Sequence, residues 1–277
     1  MRPWKPFERK EIRLFGTNKT NPKDQSGRAY GRRRVTEGNC LDPVKGCSST
    51  FCEWCYARES CARYHILFNV PVPQVLREDL LRKDLRMCSL DWVRIGVMGE
   101  PSEDWELTAK VAKVCAEEGK RVAIITRLLK LPNHSELQTL ADIGTVINWS
   151  ISPTDPVEFI KSRWESVRTY PYLVLRLLTF AFADGCEESK MQAWLSSIHP
   201  HILEQPARVF RTLRVWPKLD HKRYHHPPSY IVGSKGPSRW LTAGPVLNVP
   251  VCCGHCSSCP WKCGLVFFES SLSNHRF

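Results

Sequence analysis

Between about residues 35 and 216 the apolar positions switch repeatedly between two periods. Trp92-Val93-Arg94-Ile95-Gly96-Val97-Met98 is a short β-rich run. After it, Trp105, Thr108, Val111, Ala112 and Cys115 recur at three- and four-residue steps, the period of a helix with one buried face. Ser102 is placed to cap that helix, Glu103 and Asp104 face its positive end, and Gly119 is placed to stop it. The alternation continues with strands over 121–127, 145–152, 172–180 and 209–215, and helices over 135–143, after Pro156 and over 187–198. A further strand near 34–38 and a helix over 56–68 complete the pattern.

Strands separated by helices of roughly ten to fifteen residues predict parallel βαβ units in an α/β fold. Six such units suit either an open doubly wound sheet or an incomplete barrel, and both put their working residues at the carboxyl ends of the strands. Periodicity does not choose between them. The pattern divides the chain into a basic N-terminal arm (residues 1–34), a core (35–216) and a C-terminal extension rich in Pro, His, Gly, Ser and Cys (217–277).

The chain of 277 residues is long enough to bury a sizeable core. No apolar run approaches the roughly 20 residues needed to cross a bilayer, so no membrane partner is expected. Met1-Arg2-Pro3-Trp4-Lys5-Pro6 has no apolar stretch behind it and predicts no secretory signal, which points to a cytoplasmic protein. The formal net charge of +12 suits a nucleotide or nucleic-acid partner through phosphate neutralisation, and equally a merely soluble surface. The run Arg28-Ala29-Tyr30-Gly31-Arg32-Arg33-Arg34 and a basic-aromatic group at Lys218, His221, Lys222, Arg223, Tyr224, His225 and His226 add to the first reading. No Walker-type loop, Gly-x-Gly-x-x-Gly or Gly-x-Ser-x-Gly is present, so NTPase, dinucleotide and serine-hydrolase chemistry have no support.

Thirteen cysteines change the picture. An odd number without a secretory signal argues against a disulfide framework. Cys88, Cys115 and Cys186 lie singly in apolar patterns and read as small buried hydrophobes. The others include two tight groups, four between Cys47 and Cys61 and five between Cys252 and Cys263. Two-residue gaps between thiols suit metal or iron–sulfur ligation. In the first group Cys47, Cys52 and Cys55 can wrap one cubane and leave its fourth iron without a protein ligand. Zinc would want a fourth ligand, which Cys61, Cys40 or His65 could supply.

The stretch Gly46-Cys47-Ser48-Ser49-Thr50-Phe51-Cys52-Glu53-Trp54-Cys55-Tyr56-Ala57 resembles the cysteine signature of the radical S-adenosylmethionine (SAM) superfamily, with a first gap of four residues where three are usual. It looks most like a phage-associated group in that superfamily, more distantly related to spore photoproduct lyase. The resemblance implies a partial (βα)6 TIM-like barrel over residues 35–216, with the cysteine loop after the first strand. It implies a [4Fe–4S] cluster on Cys47, Cys52 and Cys55, with the aromatic Trp54 before the last thiol. SAM would then be cleaved reductively to a 5′-deoxyadenosyl radical, with electrons from a donor such as ferredoxin or flavodoxin. Met98-Gly99-Glu100-Pro101 is similar to the family's segment for the methionine amine of SAM, Met98 standing for its first glycine. By position on their strands, Thr126, Ser150, Ser152 and Arg176 are the implied contacts to the ribose and carboxylate.

In the second group Cys253, Cys256, Cys259 and Cys263 follow C-x2-C-x2-C-x3-C, the spacing of ferredoxin cluster loops. That favours a second [4Fe–4S] cluster, with zinc as the rival. Two functional readings follow. One is a radical SAM enzyme acting on a nucleotide, nucleic acid or related substrate. The other is a zinc-stapled nucleic-acid-binding protein without redox chemistry, in which Glu100 would have no role.

Overall fold

The computed structural model describes residues 3–15, 39–52, 55–180, 182, 184–206, 208–210, 231–233, 240–242, 246–252 and 259–272. Six parallel strands form the main sheet: β1 (Cys40–Leu41), then β4 (Trp92–Ile95), β5 (Arg121–Thr126), β6 (Val146–Ile151), β7 (Leu173–Thr179) and β8 (Ile202–Pro206), in that spatial order. The numbering leaves room for a two-stranded ribbon after β1, made of β2 (Val44–Lys45) and β3 (Val72–Pro73). Helices fall between the strands: α1 (Tyr56–Arg63), α2 (Glu78–Met87), α3 (Trp105–Glu117), α4 (His134–Asp142), α5 (Val157–Val167) and α6 (Glu187–Leu195). The expected α/β fold with a parallel six-stranded sheet is present, with the order of a partial barrel. Among the described residues no helix is long and apolar enough to cross a membrane.

Several boundaries differ from those the pattern predicts. The first sheet strand is Cys40–Leu41; residues 34–38 lie outside the described residues. The sixth strand is Ile202–Pro206, whereas Arg208–Phe210 (β9) pairs instead with β11 (Trp240–Thr242), itself paired to β10 (Ile231–Gly233), in a small antiparallel sheet. Helix α1 ends at Arg63 because His65 takes a left-handed conformation, φ 54°. Ser102 does not cap α3. It sits in a single 3-10 turn, Pro101–Glu103, and Asp104 caps the helix by accepting from the Leu107 N–H at 3.0 Å. Helix α2 was not read from the sequence: its buried side includes Leu81, Asp84 and Leu85, and charged residues fill most of the rest.

Register decides what each sheet face carries. Arg94 pairs with Ala123, Ile125 with Asn148, Ser150 with Arg176 and Leu178 with Gln205, so these residues share one face. The other face carries Val93, Ile95, Ile124, Ile147, Trp149 and Leu175, all wholly buried. Apolar packing on that side is the main driving force for closure. The first face curves inward and holds most of the sheet's polar side chains.

Both ends of the chain join this core. Residues 3–15 run extended, bridging Glu11 to Val75 and Phe15 to Cys40, and bury Ile12 and Leu14. Arg13 donates to the buried Asp84 at 2.6 Å. At the other end, Val251 bridges Glu204 on β8, and the buried Glu204 carboxylate accepts from Val246 N–H at 2.8 Å and Leu247 N–H at 3.1 Å. The following 3-10 segment, Lys262–Phe268, then enters the inner face. Asn148 donates to Cys263 O at 2.8 Å, and a Cβ on Gly264 would lie 2.7 Å from the Val174 side chain. Lys262 reaches Asp91 at 3.2 Å and Glu269, in the short α7 (Glu269–Leu272), reaches Arg121 at 3.4 Å. These partners mark the amino ends of β4 and β5. Part of the predicted extension thus plugs the bottom of the barrel.

The loops that carry the candidate site are stitched by backbone. Gly46 N–H donates to Met98 O at 3.0 Å, and Glu100 N–H donates to Gly46 O at 2.9 Å. A Cβ on Gly99 would fall 1.8 Å from Val44 O. Gly99→Ala should therefore cost roughly 3 kcal/mol of stability by forced overpacking against backbone. Gly119→Ala, at φ 71° but in open space, should cost only about 1 kcal/mol. Urea unfolding of the two variants checks the ranking, and equal losses would refute it.

Candidate active site

The cysteine loop leaves β2 at Gly46 and runs into α1. Cys47 N–H donates to Phe68 O at 2.8 Å, Ser48 N–H to Glu103 Oε1 at 2.8 Å, and the Arg58 guanidinium to Ser49 O at 2.6 Å. Phe51 packs edge-on against Phe159 of α5, ring centroids 4.8 Å apart. Cys55 is the N-cap of α1, its Sγ accepting from the Arg58 N–H at 3.4 Å. Ser49 Oγ lies 3.2 Å from Cys52 Sγ. Polar donors are thus aimed at the sulfurs, and the positive end of a helix faces one of them.

Left to themselves, Cys47 and Cys55 stay protonated. Burial, then the Glu100 carboxylate, pushes Cys47 far above the ordinary thiol range, and burial raises Cys55 as well. Cys61 is pushed up to about 11 by burial and by Cys55. A reactive nucleophile would need the opposite environment. Among the described residues, no three cysteine, histidine or carboxylate side chains converge on one ion-sized point. Cys47, Cys52 and Cys55 instead face a common cavity. Cys61 sits behind it with Cys47 and Ala57 in a small apolar cluster, whereas Cys40 belongs to the main core.

Glu100 is the hub beside the start of the cysteine loop. Its buried carboxylate accepts at Oε1 from the Ser102 N–H at 3.1 Å, from the Ser102 hydroxyl at 2.6 Å and from the Thr126 hydroxyl. Oε2 accepts from the Arg127 N–H at 2.8 Å. Burial raises the Glu100 carboxyl, and these donors pull it back. Thr126 in turn accepts from the Leu128 N–H at 2.9 Å, which locks the end of β5. Asp42, just past β1, is also buried and accepts from the backbone of Val97 at 2.6 Å and Met98 at 3.1 Å. It fixes the loop between Gly96 and Glu100.

The cavity these residues border is open, and with its mouth included it spans about 830 Å³. Gly99, Glu100, Thr126, Ser150 and Ser152 line it together with the three thiols. So does Arg127, which sequence reasoning missed. Its guanidinium pairs with buried Asp155, donates to Ser150 O at 2.8 Å and lies 5.6 Å from the Phe51 ring centroid. Burial works against the Arg127 charge, but Asp155 and Cys52 more than offset it. The signal was available: Arg127 closes the same strand run as Thr126. Ser152 is held by Asp155, which accepts from its N–H at 2.7 Å.

Arg176 is placed elsewhere. It is not among the cavity-lining residues; its guanidinium reaches Gln205, Cys252 and Cys263. Pro101 forms the turn behind Glu100 and is buried. Cys259 and Cys263 are buried in the tail. Trp54, Cys253, Cys256, the run 28–34 and the group from Lys218 to His226 lie outside the described residues. Cys88 and Cys115 are buried as expected, and half-buried Cys186 caps α6, accepting from the Ser189 N–H at 3.4 Å.

No protein-family profile and no curated protein sequence matches the chain. Solved structures do. Spore photoproduct lyase, in a double-mutant form with AdoMet and dinucleoside spore photoproduct bound, superposes with a TM-score of 0.50 at 11% identity, covering 79% of this chain and 72% of that one. A single-mutant form of the same enzyme gives a TM-score of 0.50 at 13% identity, covering 76% and 69%. At such identities the likeness is one of fold. The chain has the fold of spore photoproduct lyase, a radical SAM enzyme, as its first cysteine motif led us to expect.

Proposed function

We propose that this chain is a radical SAM enzyme. The observation that carries the reading is the meeting of three cysteines and Glu100 around one cavity at the carboxyl ends of parallel strands. The donor set fits a [4Fe–4S] cluster. Each iron takes one thiolate, so the three sulfurs need only face a shared space, and iron supplies the positive charge that the pocket otherwise denies to thiolates. When bound, the cluster supplies the electron that cleaves SAM to methionine and a 5′-deoxyadenosyl radical.

The remaining work falls to the chain's own residues. Cys47, Cys52 and Cys55 hold the irons, with the N–H of Arg58 polarising the Cys55 sulfur. Oε2 of Glu100 has one protein donor and keeps acceptor capacity for the ammonium group of SAM. Asp42 and the Gly46–Gly99 stitch hold Glu100 at a fixed distance from the thiols. Ser150 and Ser152, which line the cavity, would meet the ribose hydroxyls, and Arg127, fixed by Asp155, offers positive charge nearby. Val97, Ile125 and Leu178 supply an apolar lining that limits water around a reactive intermediate.

The substrate we favour is a nucleotide or nucleic acid. The net charge of +12 supports it, as does the likeness to a structure solved with a dinucleoside photoproduct. An acidic carrier of the ferredoxin or flavodoxin type would deliver the electron. The second group, Cys253, Cys256, Cys259 and Cys263, is read as holding a further [4Fe–4S] cluster or zinc.

Anaerobic reconstitution with iron and sulfide, followed by dithionite and SAM, tests the reading. The expected result is brown protein with about four irons per chain, or about eight if the tail also holds a cluster, and 5′-deoxyadenosine as product. A variant with Cys47, Cys52 and Cys55 all changed to Ala should make none. Colourless, zinc-loaded protein that leaves SAM intact would overturn the proposal. In Glu100→Gln an amide N–H2 must face the donors of Thr126 and Ser102 or that of Arg127. SAM affinity by calorimetry should fall at least about tenfold and stability by about 2 kcal/mol. Unchanged affinity would remove Glu100 from the SAM site.

A further inference from the structure

The first gap of the cysteine motif runs from Ser48 to Phe51, one residue longer than usual, and Phe51 has no part in the chemistry described above. The first two residues of the gap are tied down by polar contacts. Ser48 N–H donates to Glu103 Oε1 at 2.8 Å, and Ser49 O accepts from the Arg58 guanidinium at 2.6 Å. Phe51, next to Cys52, is held by its ring. It meets the Phe159 ring of α5 edge-on, with centroids 4.8 Å apart and planes inclined at 61°. The Arg127 guanidinium lies over Phe51, 5.6 Å from its centroid, and the Arg163 guanidinium lies over Phe159, 4.5 Å from its centroid. The contacts form a chain, from cation to ring to ring to cation.

We propose that Phe51 is the positioning residue for Cys52, and that the chain Arg127–Phe51–Phe159–Arg163 latches the cysteine loop onto α5. The inference rests on the reading of Cys52 as a ligand of the [4Fe–4S] cluster. It gives the lengthened gap a purpose, which is to carry a ring out to the helix while the thiol beside it faces the cavity.

A latch needs a fixed frame, and both cations have one. Arg127 pairs with Asp155, whose side chain is buried, and donates to Ser150 O at 2.8 Å. Arg163 donates through Nε to Leu128 O at 2.9 Å and through Nη2 to Leu129 O at 2.7 Å. Helix α5 is itself anchored by Ile160, which is wholly buried in the core. The frame therefore joins the segments that leave β5 and β6 to α5, and Phe51 is the ring that brings the cysteine loop to it.

The contacts are of a kind that only a ring supplies. A guanidinium over a ring face and two rings meeting edge to face both draw on the negative face and positive edge of the π-system. Leucine would keep most of the apolar bulk and lose these attractions. The effect reaches the sulfur because the Cα atoms of Phe51 and Cys52 are only about 3.8 Å apart across one peptide. Cys52 Sγ also lies 3.2 Å from Ser49 Oγ, a contact that depends on the course of the same short loop. Arg127 further donates its backbone N–H to Glu100 Oε2 at 2.8 Å. One residue thus touches both the ring beside Cys52 and the carboxylate assigned to SAM, so the latch sets that thiol and that acid in one frame.

The full-length variants Phe51→Leu and Phe51→Tyr, which keep the bulk and the ring respectively, test this against the wild type. In the metal-free chain, alkylation of Cys52 by iodoacetamide, read peptide by peptide, should be at least about tenfold faster in Phe51→Leu and near the wild-type rate in Phe51→Tyr. Buried Cys115 should stay unlabelled in all three, which shows the fold intact. After reconstitution, Phe51→Leu should lose iron to a chelator at least about tenfold faster and change the electron paramagnetic resonance spectrum of the reduced cluster, and Phe51→Tyr should restore both. Phe159→Leu, which opens the latch from the helix side, should move every readout in the same direction and decides the matter if Phe51→Leu exposes Cys115. Wild-type labelling, iron retention and spectrum in Phe51→Leu and Phe159→Leu would overturn the latch, as would equal disturbance by Phe51→Leu and Phe51→Tyr. A wild-type chain that takes up no iron would overturn the cluster reading instead, and the labelling rates would still decide whether Phe51 positions Cys52.

Discussion

At position 99 the backbone after β4 runs so close to β2 that no side chain fits between them, and the rest of the site depends on this contact. A Cβ there would sit 1.8 Å from Val44 O. The two hydrogen bonds through Gly46 then tie the start of the cysteine loop to the start of the Glu100 turn. Neither loop could hold its geometry alone, because loops of this kind have little core of their own. Paired, they fix Cys47 and Glu100 side by side at one cavity, and Asp42 secures the pairing by accepting two backbone N–H groups. Position is set here by main chain, and the chemistry-bearing side chains inherit it.

Around that contact the sheet separates two environments. Its outer face is apolar and packed; its inner face gathers Arg94, Asn148, Ser150, Arg176 and Gln205. Buried charge is costly unless paired or hydrogen-bonded, and the partners are visible. Glu100 takes four donors, Arg127 takes Asp155, and Glu204 takes a hydroxyl and two backbone N–H groups. Arg127 and Glu100 also touch through the Arg127 backbone, which links the wall carrying the thiols to the wall carrying Ser150 and Ser152. The site is a connected polar network in an apolar shell, so a change at one member is felt by the others.

Much of this was legible in the sequence, and the gaps have physical causes. Strands 121–127, 145–152 and 172–180 were read within a residue or so, because buried parallel strands leave largely apolar runs. The last strand was misplaced, since Val209 to Val215 has the stronger alternation while Ile202–Pro206 earns its place only through contacts with β7 and the tail. Ser102 looked like a cap because local pattern cannot see that a carboxylate two residues earlier claims its hydroxyl. Cys47, Cys52, Cys55 and Glu100 were named from motif resemblance and Thr126, Ser150 and Ser152 from strand position, and all of them line one cavity. Arg127 and Asp155 were missed because nothing in spacing announces an ion pair 28 residues apart. Arg176 shares the face of Ser150 but does not line the cavity; register sets the face, and only the tail's path shows what lies against it.

That path bears on how the protein is made. Asn148 waits for Cys263 across 115 residues of chain, and β8 waits for Val251 to cover its edge. Until residues 246–268 follow the strands out of the ribosome, the nascent barrel has an open floor and an uncovered strand edge, features that invite aggregation. The protein therefore combines local βα units, which can form during synthesis, with a final long-range insertion of the kind that slows folding. A segment that reads in sequence as an appendage is, in assembly order, a keystone set after the strands it locks.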